Sequence, residues 1–301
     1  MRIVVSGSSG LIGAAVCKHF RGLGRGDVIA RLVREESGGV SEPHQIAWSP
    51  SEGLLDAAWL EGADAVIHLA GENIAGRWSE AKKQRIMDSR RDGTHTLCHA
   101  LASMHRKPAV LLSASAVGYY GDRGDEVLTE SSPRGQGFLP EVCQVWEEAT
   151  DPARQAGIRV VHLRFGVVLS RAGGALKLML TPFKLGLGGR VGSGRQWMSW
   201  IQIDDLVSVL QHCMETPSVA GPVNVVAPQA VTNAEFTKTL GRALHRPTLL
   251  PVPAFAARLA FGELADEGLL ASARVFPAAL QQSGYRFKRG DLKSALRLEL
   301  A

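Results

Sequence analysis

Apolar positions follow two alternating periods along the first two-thirds of the chain. Residues 2–6 (RIVVS) form a short apolar, β-branched run that predicts a buried strand. Leu11, Ile12, Ala15, Val16 and Phe20 then recur at helical spacing. Residues 28–33 (VIARLV), 64–70 (DAVIHLA), 109–113 (AVLLS) and 158–164 (IRVVHLR) predict further strands. A long polar helix from Ser79 to His105 and a second helix from Leu139 to Arg154 fall between them. This alternation predicts βαβ units, hence a doubly wound α/β fold with a parallel sheet covered on both faces. The pattern changes after residue 170. Glycine becomes dense from Gly173 to Gly194, and helical stretches at 204–216, 232–244, 254–261 and 291–300 dominate. The division read from this is a domain over 1–170, whose sheet the short run at 223–226 joins, and a smaller, mostly helical C-terminal lobe over 171–301.

Composition narrows the class. At 301 residues, 45% hydrophobic and 21% charged, the chain has ordinary globular values that exclude disordered and collagen-like classes. No run approaches the roughly 18 apolar residues of a membrane span. The N-terminus lacks a cleavage-site pattern and reads as a strand, not a signal peptide. Cys17, Cys98, Cys143 and Cys213 are widely spaced, which predicts reduced thiols and a cytoplasmic location. The net charge of +5 fits nucleic acid or a small anion. The densest basic run, at 81–85, reads as a solvated helix face, and no nucleic-acid-binding module is recognisable.

The chemistry begins at Gly7-Ser8-Ser9-Gly10-Leu11-Ile12-Gly13, a G-x-x-G-x-x-G spacing between the first strand and the first helix. The first glycine permits a tight turn, the second a close approach to a pyrophosphate, and the third close packing of helix on strand. A helix N-terminus offers free N–H groups and the positive end of a dipole. Gly7, Ser9, Gly10, Leu11, Ile12 and Gly13 are therefore the expected dinucleotide-binding residues. NAD-preferring proteins place an acid at the end of the second strand; here Arg34 stands there, with Arg31 a weaker candidate, and suits the 2′-phosphate of NADP. Glu35 and Glu36 follow immediately and oppose that preference.

With Asp64–Gly71, this loop resembles the extended short-chain dehydrogenase/reductases. Gly71–Trp78, Ser89-Arg90, Ser113–Gly121, Gly188–Trp197, Trp200–Asp205, Gly262–Ala265, Pro277 and Gly284–Phe287 resemble its nucleoside-diphosphate-sugar epimerase-like subgroup over essentially the whole chain. The resemblance implies a Rossmann domain with a small C-terminal domain, NADP(H) as cofactor, and a small anionic substrate such as a nucleotide sugar. It implies that Leu69, Ala70, Gly71 and Glu72 line the cofactor and that Arg90 reaches a cofactor phosphate. It places Ser113 and Ser115 where catalytic serines stand, and Gly166 and Val167 near the nicotinamide. Some relatives are linked to cell or plastid division.

The superfamily's Tyr-x-x-x-Lys pair is missing. Its positions fall on Leu139 and Cys143, which can neither transfer a proton nor supply a fixed positive charge. Ser115, Glu72 and Tyr120 are the candidate catalytic groups, Glu72 on condition that burial raises its pKa; Glu141 and Cys143 are weaker. The Gly188–Arg195 segment combines mobile backbone with Arg190 and Arg195, and reads either as a loop closing over a substrate diphosphate or as a flexible connector. Arg195 and Trp197 offer charge and a stacking face for substrate. His95-x-x-x-His99, near Cys98 and His105, lacks a further anchoring ligand, so no metal is expected. Two functions stay open: an NADP-dependent epimerase or oxidoreductase with an atypical acid/base group, and a non-catalytic protein whose NADP(H) occupancy controls an interaction, as in cell division.

Overall fold

A computed structural model of the protein describes residues 1–34 and 44–300. The N-terminal part alternates strands β1 (Arg2–Ser6), β2 (Val28–Arg34), β3 (Gln45–Trp48), β4 (Ala65–His68) and β5 (Val110–Ala116) with helices α1 (Leu11–Gly22) and α2 (Glu80–Ser103). Strand β6 (Val127–Leu128), helices α3 (Phe138–Glu148) and α4 (Asp151–Gln155), and strands β7 (Arg159–Phe165) and β8 (Val167–Leu169) follow. Then come α5 (Gly174–Lys184), β9 (Trp197–Met198), β10 (Trp200–Gln202), α6 (Ile203–Glu215), β11 (Gly221–Val225), β12 (Val231–Thr232) and α7 (Asn233–Leu244). The chain ends with α8 (Ala254–Phe261), β13 (Arg274–Val275), α9 (Ala278–Gln282) and α10 (Leu292–Leu300).

Among the described residues, seven strands form one sheet in the order β11-β7-β5-β4-β1-β2-β3, with every neighbouring pair parallel. This is the doubly wound arrangement that the alternating pattern predicts. Strand order reverses between β1 and β4, and ligands of such sheets bind in the crevice at that switch point. Alternate residues serve opposite faces. Ile3 and Val5 of β1 pack with Val16 and Phe20 of α1 and Leu206 and Leu210 of α6, whereas Val4 packs with Leu97 and Leu101 of α2. Leu176, Phe183, Trp200, Phe236, Leu240 and Leu296 belong to a separate apolar core. No helix of the described residues is long and apolar enough to cross a membrane.

Three local expectations change. The predicted helix from Leu139 to Arg154 is two helices. Thr150 interrupts it by turning its hydroxyl onto the Glu147 carbonyl (2.7 Å), and Pro152, which has no N–H, starts a new turn. Strand β3 has no counterpart among the predicted segments; only four residues long, it is fixed by pairing with β2. The glycine-dense stretch contains α5, with Pro182 inside it.

Candidate cofactor and active site

The glycine loop lies against the switch point. Gly7 has φ +66°, and a Cβ there would stand 2.8 Å from the Leu69 carbonyl carbon and oxygen at the end of β4. A Cβ on Gly13 would stand 2.2 Å from the Gly7 carbonyl oxygen, so α1 packs backbone to backbone on the turn. Gly10 occupies the N-cap of α1 and brings no side-chain cap, which leaves first-turn N–H groups for an anion. These features fit a dinucleotide pyrophosphate. Gly13→Ala should weaken NADPH binding by about 10–100-fold, because overpacking costs about 1–3 kcal/mol. Gly10→Ala, whose Cβ would sit 3.3 Å from the Gly7 oxygen, should cost much less. Titration of bound-NADPH fluorescence checks the contrast; equal losses would show that crowding at Gly13 is not the cause.

A buried polar chain fixes the facing edge of β4. The Ser6 hydroxyl oxygen accepts from the backbone N–H of Leu69 (3.1 Å) and Ala70 (3.2 Å). Its proton is thus left for Nδ1 of His68, 2.7 Å away. Nε2 of His68 then carries the ring proton and donates to Thr94 of α2 at 3.0 Å. Burial pushes the His68 imidazole down to about 4, so it stays neutral at pH 7. Sequence reading did not single out this chain; its signal was polar residues ending the otherwise apolar runs RIVVS and AVIH.

Arg34 is exposed at the end of β2. Glu35 and Glu36 lie outside the described residues. The loop after β4 is braced from α2. The Ser89 hydroxyl accepts from the Glu72 N–H (2.9 Å), and the Arg90 guanidinium donates to the carbonyls of Glu72 (3.0 Å) and Ile86 (3.1 Å). Arg90 also lies 4.6 Å from the Trp146 ring centroid, and a Cβ on Gly71 would approach its guanidinium carbon to 3.4 Å. Burial lowers the Arg90 pKa, which favours an anionic neighbour. The condition set for Glu72 as a base is not met. A hydrogen bond from Lys82 (2.6 Å), outweighing burial, with charge from Lys82, Arg85 and Arg34, lowers its pKa rather than raising it.

At the end of β5 the candidates part. Ser113 is buried, and its hydroxyl has no hydrogen-bond partner. Ser115 donates to Glu147 of α3 at 2.7 Å. Arg164 of β7 grips the same carboxylate through Nε (2.8 Å) and Nη2 (2.9 Å). Burial alone would raise the Glu147 pKa; hydrogen bonds and charge from Arg164 outweigh it and hold it below the usual carboxylate range. Tyr120 does not face the crevice. Its side chain is fully buried, its hydroxyl donates to Asn224 (2.7 Å) and accepts from Arg164 (3.0 Å), and burial raises its pKa. It is corrected from candidate acid to a core residue. Burial, reinforced by Glu147, pushes the Cys143 thiol up to about 11, which leaves it protonated. Glu141 is exposed on α3. Sequence reading gave Glu147 and Arg164 no role; an arginine inside the strand run IRVVHLR was the available signal.

Other expectations resolve locally. A Cβ on Gly166 would stand 2.6 Å from the Ser199 carbonyl oxygen, and the Val167 N–H donates to that oxygen at 2.8 Å, so this stretch is closely packed. The Gly188–Arg195 segment is pinned. Gly192 N–H donates to Val252 (2.9 Å), Val252 N–H donates to Arg190 (2.8 Å), and a Cβ on Gly189 would collide with the Leu250 carbonyl. Its glycines serve close packing rather than mobility. Arg195 is exposed. Trp197 donates to Asp125 (2.7 Å) and stacks under Arg274, whose guanidinium carbon is 4.3 Å from the ring centroid. The Nε2 atoms of His95 and His99 lie 3.0 Å apart on the exposed face of α2, and no group of three metal-ligating side chains occurs among the described residues.

Comparison with known proteins agrees with this geometry. The NAD dependent epimerase/dehydratase family pattern matches residues 3–227, and a domain of unknown function (DUF1731) matches residues 252–298. An epimerase family protein of Mycobacterium bovis is 47% identical over 98% of this chain and 96% of its own. The crystal structure of human epimerase family protein SDR39U1 (isoform 2) with NADPH has a TM-score of 0.89 and 34% identity, covering 100% of this chain and 99% of that one. The nucleoside-diphosphate sugar epimerase of Corynebacterium glutamicum has a TM-score of 0.82 and 36% identity, covering 100% of this chain and 58% of that one.

Proposed function

We propose that this chain, which belongs to the NAD dependent epimerase/dehydratase family, binds NADP(H) across the β1–β4 switch point and acts on a nucleotide-sugar-like anion. The observation that carries this is the glycine cradle, whose crowding forbids side chains at Gly7 and Gly13 while α1 opens without a side-chain cap. The human relative crystallised with NADPH supports the cofactor, and the name of the Corynebacterium relative supports the substrate class. When bound, the dinucleotide supplies the hydride chemistry. In this reading Leu69, Ala70 and Gly71 line it, Arg34 takes the 2′-phosphate, and Arg90 stiffens the loop beneath it. Residues 171–301 supply the substrate lobe, with Arg195 and Trp197 as contacts. Ser115, buried at the end of β5 with its proton drawn to an ionised Glu147, keeps lone pairs that would accept a hydrogen bond from a substrate hydroxyl only if the site opens on binding.

Arg34→Ala should cut the preference for NADPH over NADH about 10–100-fold, as hydrogen bonds to charged groups contribute about 1.5–3 kcal/mol. Equal affinities of the native protein for both cofactors would remove Arg34 from this role. UDP-glucose added to the NADPH-loaded protein should change its fluorescence. The leucine and cysteine at the Tyr and Lys positions favour a second reading, an NADP(H)-responsive regulator of an interaction. Tight NADPH binding without turnover across a panel of sugar nucleotides would select it.

A further inference from the structure

The C-terminal segment from α8 to β13 contacts the loop after β4, the first turn of α2, the start of α3 and β6. Arg77, in the loop after β4, donates to the Leu259 carbonyl at 2.7 Å. Lys83, in the first turn of α2, pairs with Glu263 at 3.0 Å. Next, the Glu267 carboxylate accepts the backbone N–H of Phe138 (3.1 Å) and Leu139 (3.0 Å), the first residues of α3. Leu139 is the position vacated by the superfamily's tyrosine. The segment continues to Ser272, whose hydroxyl donates to the Gly124 carbonyl, and to β13, which pairs with β6.

Two further observations show that the central contact is built in. Gly137 has φ +118°, and a Cβ there would stand 2.3 Å from the nearer Glu267 oxygen, so glycine makes room for the carboxylate. Gly137 also brings no side-chain cap of its own, so the cap of α3 comes from a residue 129 positions from Phe138. The roof beside it is closed by Trp78 against Phe138 (ring centroids 5.2 Å apart) and by Lys83 over the Phe138 ring (5.1 Å). The helices that begin here, α2 and α3, follow β4 and β5, so their N-termini lie at the carboxyl edge of the sheet. A strap joining those N-termini lies at the carboxyl edge of the sheet, the edge at which ligands of such sheets bind.

We propose that residues 259–267 form a clasp that must release from Arg77, Lys83 and the α3 N-terminus before ligand exchanges at the nicotinamide end of the crevice. This rests on the NADP(H) reading above. The three contacts differ in kind. The Lys83–Glu263 pair is half-exposed, and such pairs hold weakly. The Glu267 contact is charge-assisted and directed at two otherwise uncapped donors, so it is the strong member. Opening is therefore governed by Glu267.

The test is NADPH dissociation followed by stopped-flow fluorescence in the full chain, with hydrogen–deuterium exchange over residues 137–142. Glu267→Ala should release NADPH on the order of tenfold faster or more. Glu263→Lys, which repels Lys83 at the surface and leaves α3 intact, should release it about two- to fivefold faster. In Glu267→Ala the α3 N-terminal amides should also exchange faster. If both variants release NADPH at the native rate, the clasp is overturned, whatever the exchange data show. If Glu267→Ala fails to fold, Glu263→Lys alone decides. A native chain that binds no dinucleotide sinks the cofactor reading and the clasp with it; native binding with unaltered release sinks only the clasp.

Discussion

Glu147→Ala should destabilise the protein by about 3–5 kcal/mol, the range for removing one partner of a buried ion pair. The Arg164 side chain is 4% exposed and that of Glu147 12%, so water cannot solvate the guanidinium once its carboxylate has gone. The loss also strands the Ser115 hydroxyl and frees the arginine that Tyr120 leans on. Urea unfolding measures it. The double variant Glu147→Leu with Arg164→Met should recover part of the loss, because most of the single-variant cost is the abandoned charge and not a lost attraction. A single-variant loss under about 1 kcal/mol would mean that Arg164 finds solvent or another partner.

Lowering the pH from 7 towards 4 should destabilise the chain through His68. Its folded pKa is about 4 against an ordinary 6.5, so between those values the unfolded chain binds more protons than the folded one. Stability is therefore fully present above the unfolded pKa and is lost as pH falls through the window, by ~3 kcal/mol in all. His162, whose pKa burial also lowers, acts in the same direction. Urea midpoints between pH 7 and pH 4.5 should fall steeply for the native protein and less steeply for His68→Gln. Parallel slopes would place the acid sensitivity elsewhere. Folded His68 stays neutral through most of this window and goes on accepting the Ser6 proton, so NADPH affinity of the folded protein should hold there and fall only as the pH reaches about 4.

Much of the fold was legible because it depends on local regularities. A parallel sheet buried on both faces writes continuous apolar runs, and RIVVS, VIARLV and AVLLS showed them. The glycine loop was legible for a similar reason: its requirement for missing side chains is recorded directly as glycine. The break before Asp151 was half visible: Pro152 marks it in the sequence, whereas a threonine hydroxyl competing for a helix carbonyl looks there like any helical threonine.

The candidate site divided along the same line. Leu139 and Cys143 drew notice only through the spacing at which the resemblance leads one to expect a tyrosine and a lysine. What stands in their surroundings could not be read. Glu147 acquires its character from Arg164, a residue 17 positions away on another strand, and Glu267 caps a helix that begins 129 positions earlier. Glu72 shows the same limit in reverse. Its place at the crevice was plain, but the sign of its pKa shift depended on Lys82 folding back onto it.

By itself, then, the sequence determined the doubly wound sheet and the dinucleotide loop. Each is encoded by the periodicity or identity of neighbouring residues. Only the tertiary structure decided which polar groups are charged, which are neutral and which are merely buried. Hydrogen-bond partners and desolvation set those states, and both come from residues distant in the chain.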